Sequence, residues 1–343
     1  AAALAFIWGG LDAGAERLFV NATFFGTSVI GLAAFATAFV ADRHADRLGN
    51  GERALVPLIL AWGAAWWLGG AALELHRHLN LHDQPNAILA WVTGSAGLAL
   101  VLRRVMHWPR IGWLAAATFP TMIATGIASL ELDRTTLEQA GLIVWPLAWL
   151  MHAVALWDAE ALVDRPRATS ASAGDRRETS PLHEIHAATA VALVAWLSWE
   201  AGEWVGRWTT EGTAWIACAT GLPSILFLAA VTRWELLPRW PMLGYGRAYL
   251  RSAGTVAAAL LGVWFVMVNL VSPGDPAPLP YLPLANPLDI TVALALVVLF
   301  RWAGRAAFRD QQVLHACFGM AAFVGVNCVV VRTAHHWAGV PWE

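Results

Sequence analysis

Ionisable side chains recur at a fixed spacing near the ends of three apolar stretches of the chain. Glu74, Glu203 and Arg332 follow one another at intervals of 129 residues. Ionisable groups inside a bilayer are costly and commonly functional, so chemistry is sought first at these positions. If the three ends converge, they form an outward-facing polar cluster of Glu74, His78, Glu200, Glu203, Arg207, Arg332, His335 and His336.

The same residues also have a purely structural interpretation. Glu74 with His78, and Glu203 with Arg207, are i,i+4 pairs with the acid first, the order that stabilises a helix. A basic residue in a last turn also complements the negative end of the helix dipole. On this interpretation, Arg332 is a helix-end charge with no counterpart to bind.

Glu200 is the residue that best separates these interpretations. It lies about one helical turn deeper in its apolar stretch than Glu203. A carboxylate in contact with lipid takes up a proton or is strongly unfavourable. We therefore expect Glu200 to face the bundle interior and to pair with Arg207, His78 or His336.

Cofactor and metal chemistry find little support in the sequence. His76, His78 and His82 follow one apolar stretch, but only two of them share a helix face, and their spacing matches no zinc signature. There is no glycine-rich phosphate loop and no nucleophile elbow. We predict no metal and no cofactor. The net charge of -2, without a basic cluster interleaved with aromatics, predicts no nucleic-acid partner.

Two kinds of enzyme remain open. A multi-pass glycosyltransferase uses outward acidic residues with a lipid-linked sugar donor, although an acid at a helix start is also an ordinary N-cap. A membrane acyltransferase needs a buried histidine, although a satisfied core imidazole explains such a residue equally well. The candidates are Asp12, Glu131, Asp133 and Asp289 for the first class, and His152 for the second.

The elements that position these residues are membrane helices. Hydrophobic residues make up 58 % of the chain and charged residues 13 %, about half the ~25 % of soluble proteins. Because crossing ~30 Å of hydrocarbon takes ~20 apolar residues, we predict an all-α polytopic transmembrane bundle. Its ten helices lie at about 18–40, 55–75, 87–102, 113–130, 140–157, 185–204, 213–231, 252–271, 288–302 and 313–331. The spans 87–102 and 288–302 are short and are expected to need flanking Trp and Arg.

The arginines predict which way the helices cross. All 22 basic residues are arginine, and alternate loops carry 17 of them against 5. Positive charge resists translocation, so the richer loops are predicted to be cytoplasmic. These loops are 42–53, 103–110, 158–181, 233–251 and 301–310. We therefore expect a multi-pass membrane protein with both ends of this chain on the side opposite the cytoplasm, which is the periplasmic side in a bacterial inner membrane.

Tryptophan is unusually frequent, with 21 residues. Those at span ends, such as Trp108 and Trp337, are expected at headgroup level, where an amphipathic indole is most stable. Others, such as Trp67 and Trp145, lie within spans. Because an indole N–H inside the bilayer needs an acceptor, we expect these residues to face the bundle.

An internal repeat organises the helices. The spacing of 129 residues recurs, and a weaker match at 132 joins His107-Trp108-Pro109 to Arg239-Trp240-Pro241. We predict tandem four-helix repeats in the same orientation, at 55–157 and 182–310. Residues 1–54 would hold the last helix of a truncated preceding repeat, and 311–343 the first helix of a truncated third. The chain is then a fragment of a longer protein.

Two connecting segments have distinctive compositions. Residues 158–181 are small, polar and charged, which predicts a cytoplasmic linker with little fixed structure. Residues 272–287 hold six prolines, which predicts a stiff extramembrane cap.

Three motifs carry a resemblance to a known family. They are Tyr-Leu-Pro-Leu-Ala-Asn-Pro-Leu-Asp at 281–289, Arg-Thr-Ala-His-His-Trp-Ala-Gly-Val-Pro-Trp at 332–342, and Ala-Trp-Gly-Ala-Ala-Trp-Trp-Leu-Gly-Gly at 61–70. Over nearly its whole length, the chain resembles long bacterial predicted membrane proteins known as domain of unknown function 2339. The resemblance implies a multi-pass inner-membrane protein that continues for several further helices, and it implies no activity, substrate or cofactor.

The residues favour a non-enzymatic protein, either a carrier or a cell-envelope scaffold, with an outward-facing polar cavity. Its expected partners are the lipid bilayer and other envelope membrane proteins. The alternative is a periplasm-facing enzyme that acts on a lipid-linked glycan. A carrier needs a polar site near mid-bilayer at the repeat interface, whereas such an enzyme needs convergent acids and a groove open to lipid.

Overall fold

The computed structural model describes residues 17–164, 181–210, 213–233, 240–241, 244–306 and 310–342. In these ranges the chain forms ten α-helices. They are α1 Ala22–Arg43, α2 Asn50–His78, α3 Gln84–Val105, α4 Thr118–Glu131, α5 Gly141–Asp164, α6 Pro181–Gly206, α7 Ala214–Val231, α8 Gly254–Val271, α9 Pro287–Ala306 and α10 Gln311–Ala338. The all-helical fold predicted from the sequence is confirmed.

Two of the helices begin with a non-α segment. A 3₁₀ helix, Pro109–Ala117, leads directly into α4, and a π-helix, Ala248–Ala253, leads directly into α8. Each composite element supplies one predicted span. A proline at the first position is compatible with the 3₁₀ start because proline has no N–H to leave unsatisfied.

Nine of the described helical elements are long and apolar enough to cross a membrane. The remaining helix, α6, has 26 residues and is therefore long enough. Its apolar run is shortened by His183, Glu184 and His186 at one end and by Glu200 and Glu203 at the other. The prediction of a multi-pass bundle is thus confirmed, with α6 as its least apolar helix.

Two helices are longer than the sequence predicted. The spans expected at 87–102 and 288–302 are α3, with 22 residues, and α9, with 20. At ~1.5 Å per residue these helices reach about 33 and 30 Å. The added turns of α3 are polar, with Gln84 at one end and Arg103 and Arg104 at the other, so the expected help from flanking Trp and Arg stays a prediction.

The expected linker begins later than 158. Helix α5 continues to Asp164, and α6 begins at Pro181. The extension is fixed in part by an ion pair between Asp158 and Arg103 of α3. Polar composition alone predicted a linker, whereas this pairing supports about two more turns of helix. The rest of the expected linker, residues 165–180, lies outside the described residues.

The chain divides into two compact units, Ala1–Leu162 and Val163–Glu343. In the first unit α1 packs along α2 through small residues. A Cβ on Gly31 would lie 3.2 Å from the Gly63 carbonyl oxygen, and one on Gly63 would lie 3.1 Å from the Cβ of Ala34. Glycines at these positions let the two backbones approach closely, as is common between membrane helices.

Helix α3 is the centre of the first unit. It packs against α2, against the 3₁₀ helix and against α4. Ala96 and Leu100 of α3 also form a buried cluster with Ala115, and Met151 of α5 packs on this cluster. Helix α3 is the second of the four helices in the repeat predicted at 55–157, and it therefore contacts the other three.

Helix α7 has the same role in the second unit, where it packs against α6, α8 and α9. One buried cluster joins Ala214 of α7, Phe265 of α8 and Leu288 of α9. Helix α10 packs along α9. The buried residues of α10 among those described are Leu314, Gly325 and Arg332.

Residues 272–286 connect α8 to α9 and are held by specific hydrogen bonds. The Asn286 side chain donates to the Gly274 carbonyl at 2.6 Å, and the Ala214 N–H donates to the Asp275 carbonyl at 2.7 Å. The Trp215 indole donates to the carbonyl of Ala277 at 3.0 Å. These contacts agree with the expected stiff segment between spans.

Some tryptophans are hydrogen-bonded within the bundle, and others are exposed. The indole of Trp67 donates to the Ser95 hydroxyl at 2.9 Å, and that of Trp145 donates to the Asn86 side chain at 3.0 Å, so both face the bundle. Trp337 is exposed. Trp108 is buried and donates to Asp42 of α1 at 2.7 Å, so its indole faces the protein, and its expected depth at headgroup level stays a prediction.

Candidate functional site

The first site of interest surrounds the carboxylate of Glu74, in the last turns of α2. The side chain is 1 % exposed. It accepts hydrogen bonds from the Phe19 N–H at 3.0 Å and from the Asn21 side chain, and the His78 imidazole lies 3.4 Å away. Asn21 is also the N-cap of α1, where it accepts from the Phe24 N–H. The carboxylate thus lies at the positive end of the α1 dipole.

Aromatic rings cover this Glu74 site. The Phe19 ring stacks on Trp91 with centroids 5.2 Å apart, and Phe24 meets the same indole edge-on. Trp67 of α2 also contacts Trp91, at 5.3 Å. The rings exclude water from a hydrogen-bonded carboxylate, which strengthens its contacts.

The second site surrounds Arg332 of α10, whose side chain is fully buried. Its Nη1 lies 3.1 Å from a carboxylate oxygen of Asp289, in the first turn of α9. Its Nη2 donates to the Val268 carbonyl and to the Asn269 side chain of α8, at 3.1 and 3.2 Å. Its Nε donates to the carbonyl of Ser272, at 3.2 Å. One guanidinium therefore joins the ends of three helices.

Electrostatics favour each contact in this Arg332 site. The carbonyls of Val268 and Ser272 belong to the negative end of α8, and Asp289 lies at the positive end of α9. The second oxygen of Asp289 accepts from the Leu284 N–H at 3.3 Å. Asn286 caps α9 by accepting from the Leu288 N–H at 2.7 Å. Every donor nitrogen of the guanidinium has a partner.

The interpretation of Arg332 as a helix-end charge without a counterpart was therefore wrong. Its partner, Asp289, was considered from the sequence only as a candidate acid for glycosyl transfer. The two residues lie 43 positions apart on adjacent helices. Only the packing of α10 along α9 brings them together, and a repeat spacing carries no information on that packing.

The α6 residues occupy different environments. Glu200 is buried, with 3 % of its surface exposed, whereas Glu203 and Arg207 are exposed. The Arg207 guanidinium lies 5.5 Å from the centroid of the Trp204 ring, at cation–π distance. The depth expected for Glu200 agrees with its burial. Its predicted pairing with Arg207, His78 or His336 stays a prediction.

The two histidines of α10 have different partners, and only His336 contacts the connection between α8 and α9. The Nδ1 of His335 lies 2.7 Å from the Val340 carbonyl, and the Nε2 of His336 lies 3.0 Å from the Pro273 carbonyl. The His336 ring stacks on Tyr281 with centroids 4.3 Å apart. Burial raises the pKa of the Tyr281 hydroxyl above its usual value, and the nearby Asp289 carboxylate acts in the same direction.

The residues considered for enzymes do not gather around one point. Glu131 ends α4 and Asp133 lies in the following turn, both exposed, whereas Asp289 is held by Arg332. Asp12 lies outside the described residues. His152 is buried in α5, where its ring stacks on Phe119 at 4.7 Å. That contact is typical of a packed core imidazole.

A groove of about 580 Å³ lies beside Glu131. It runs between the start of α3 and the length of α4, and its walls are mostly apolar, with Pro85, Ile88 and Ala124 among them. Gln84 and Thr121 add polar groups. The volume is in the range of small-molecule sites.

The sequence analysis missed a contact between a buried histidine near the start of α6 and a buried tyrosine before α8. His186 is fully buried, its Nδ1 lies 2.8 Å from the Tyr249 hydroxyl, and its ring stacks on Tyr245 at 4.0 Å. Tyr249 belongs to the π-helix before α8. The signal in the sequence was a tyrosine beside an apolar run. The contact could not be predicted from it, because Tyr249 is positioned by a π-helix and no local pattern predicts a π-helix. Among the described residues, no three His, Cys, Asp or Glu side chains form a group that could hold a metal ion.

Nine helical elements of this length and apolarity among the described residues define a multi-pass helical membrane protein. The family model described as "Predicted membrane protein (DUF2339)" matches residues 1–343. The chain belongs to this family, as the resemblance of its motifs had indicated. No curated protein and no solved structure matches the chain.

Proposed function

We propose that this protein is a non-enzymatic scaffold of the bacterial inner membrane, whose buried charges fix the arrangement of its helices. The scaffold is one of the two non-enzymatic functions that the sequence favoured, the other being a carrier. The observation that carries the proposal is the Arg332 site, because its guanidinium is bound at Nε, Nη1 and Nη2 by groups of the protein.

A transport or catalytic site needs charged groups with capacity left for a ligand. In the Arg332 site, the guanidinium donors are already bonded to groups at the ends of α8 and α9. In the Glu74 site, the carboxylate already accepts from Phe19 and Asn21. Buried polar groups satisfied in this way rigidify a fold and specify one arrangement. The two sites therefore support a scaffold more than a carrier.

The internal packing of the two units supports the tandem repeat. In each unit the second helix of the predicted four contacts the other three, and the third helix begins with a non-α segment. We propose that the units are copies in the same orientation. Repeated units of this kind suit a protein that presents surfaces to envelope partners.

The proposed orientation places the arginine-rich loops in the cytoplasm. Arg43, Arg53, Arg103 and Arg110 then lie on the cytoplasmic side, and the Glu74 site lies at the opposite, periplasmic end of α2. This follows from the rule that loops rich in arginine are retained inside.

The alternative is an enzyme that acts on a lipid-linked glycan at the periplasmic face. The groove beside Glu131 favours this function, because it is mostly apolar and has a carboxylate among its lining residues. Such an enzyme needs convergent acids, and Glu131 is the one acid among the residues described as lining the groove.

Two charge-removing substitutions discriminate between these functions. Glu200→Gln and Glu131→Gln keep the side-chain shape, and Glu203→Gln on the exposed surface of α6 is the matched control. A scaffold should lose rescue only in a variant whose melting temperature falls, because its function depends on the fold. The readout is rescue of a strain whose envelope integrity depends on the protein, measured beside the melting temperature in detergent.

Loss of rescue at unchanged melting temperature for Glu200→Gln, with the control intact, would support a carrier that uses that residue. The same result for Glu131→Gln alone would support the enzyme. Either result would overturn the scaffold. Full rescue by both variants would leave the scaffold as the supported function.

A further inference from the structure

A second polar region lies at the other end of α2, in the first unit. It is a cavity of about 410 Å³ between the end of α1, the start of α2 and the turn that precedes the 3₁₀ helix. Its polar lining consists of Asp42, Arg43, Arg53, His107 and Arg110. We call this cavity the arginine crevice. About 21 residues of α2, or ~32 Å at ~1.5 Å per residue, separate Arg53 from Glu74.

The arginine crevice has an excess of positive charge. Three guanidinium groups face one carboxylate, that of Asp42. Asp42 is itself engaged, because it accepts from the Trp108 indole at 2.7 Å and pairs with Arg110. The carboxylate therefore orients Arg110 and offsets one of the three positive charges, which leaves a net excess of two in the cavity.

The guanidinium of Arg110 is held in place and still accessible. Its Nη1 contacts Asp42, and its side chain is 38 % exposed. A guanidinium has donors on three nitrogens, so Nη2 and Nε can still donate to a ligand. Arg43 is oriented as well, by donating to the Met106 carbonyl at 3.0 Å with its guanidinium 5.1 Å from the centroid of the Phe39 ring.

The remaining walls are apolar, and they include Phe39, Leu48, Val56 and Trp108. The cavity also lies where α1 ends and α2 begins, which is the depth of lipid headgroups for helices that cross the bilayer. Paired arginines bind phosphate oxygens with several N–H donors. Basic pockets between membrane helices are typical sites for anionic headgroups.

We infer that the arginine crevice binds the phosphate of an anionic phospholipid headgroup, with Arg53 and Arg110 as its donors and the apolar walls beside the first part of the acyl chains. This site is separate from the Glu74 and Arg332 sites. The inference of lipid binding does not depend on whether the protein is a scaffold, a carrier or an enzyme.

The test measures lipid binding to the full chain in detergent by native mass spectrometry. Phosphatidylglycerol should bind more tightly than phosphatidylcholine, which carries no net charge. Arg53→Gln should weaken phosphatidylglycerol binding about tenfold, the loss of one charged hydrogen-bonding partner. Arg53→Lys should retain most of the affinity, because it keeps the charge.

Arg104→Gln is the matched control. Arg104 is an exposed arginine in the last turn of α3, and it is not among the residues that line the cavity. It should change binding less than twofold. An equal loss in Arg104→Gln and Arg53→Gln would show general electrostatic attraction and overturn the site. Equal binding of the two lipids would also overturn it, and competition by inorganic phosphate as effective as that by phosphatidylglycerol would assign the site to a free anion.

Discussion

Glu74 and Arg332 hold equivalent positions in the repeat spacing, near the ends of α2 and α10, and both are fully enclosed by protein. Their charges are opposite. Glu74 is bound by N–H donors at the start of α1, whereas Arg332 is bound by Asp289 at the start of α9 and by carbonyls at the end of α8. In both sites a partner comes from the start of the preceding helix, although the charge of the buried residue is reversed.

The third equivalent residue, Glu203, extends the comparison. It is exposed, and the buried carboxylate of its helix is Glu200, almost one turn away. The spacing therefore predicts where ionisable residues occur, and the local packing decides which of them is enclosed.

The two sites should differ most in the free energy of unfolding that is lost when a charged partner is removed. Asp289→Asn removes the carboxylate that neutralises Arg332 and leaves a buried guanidinium without its charge partner. Breaking a buried ion pair in this way costs about 3–5 kcal/mol. We expect a large fall in melting temperature, measured by tryptophan fluorescence in detergent.

The double variant Asp289→Leu, Arg332→Met removes both charges and should be more stable than Asp289→Asn. Glu203→Gln is the control and should change the melting temperature little. A double variant as unstable as the single one would show that the carbonyl contacts of Arg332, and not its charge pairing, hold the three helix ends together.

Loss of charge at Glu74 should have a smaller effect. Glu74→Gln leaves neutral partners, the Phe19 N–H and the Asn21 amide, so no buried charge remains. We expect a loss of about 1–3 kcal/mol, the cost of weakened hydrogen bonds to a charged acceptor. Hydrogen exchange should report faster exchange at the Phe19 amide.

A double-mutant cycle with Asn21→Ala sharpens this measurement, because Asn21 both caps α1 and donates to Glu74. Residues in direct contact show coupling of about 0.5–3 kcal/mol. Additive losses would mean that the cap and the carboxylate act independently, which contradicts the Glu74 site as described.

The smallest expected effect is the pH dependence at Tyr281, beside the Arg332 site. Because burial raises the pKa of its hydroxyl in the folded protein, the unfolded chain loses this proton first as pH rises. The stabilisation is present below about pH 10, the usual tyrosine pKa, and is lost as pH rises through the folded value. Phenolate absorbance, compared between the wild type and Tyr281→Phe, isolates this group among the three tyrosines. A normal pKa would place the hydroxyl in water.

Hydropathy predicted the helices because each span must satisfy its own backbone in lipid. It could not predict the polar turns that lengthen α3, since those turns depend on contacts such as the one between His76 and Gln84, at 3.0 Å. Burial of Glu200 was likewise predictable from its depth in an apolar run. The partners of Glu74 and Arg332 were not, because Asn21 and Asp289 come from other helices, 53 and 43 residues away.

The pairing of Asp289 with Arg332 also bears on how the protein is made. Asp289 leaves the ribosome first, and Arg332 follows only after the rest of α9, residues 307–310 and most of α10. Either charge alone opposes transfer of its helix into lipid, whereas a pair across adjacent antiparallel segments opposes it far less. Helices α9 and α10 are therefore suited to partition into the bilayer together, as a hairpin.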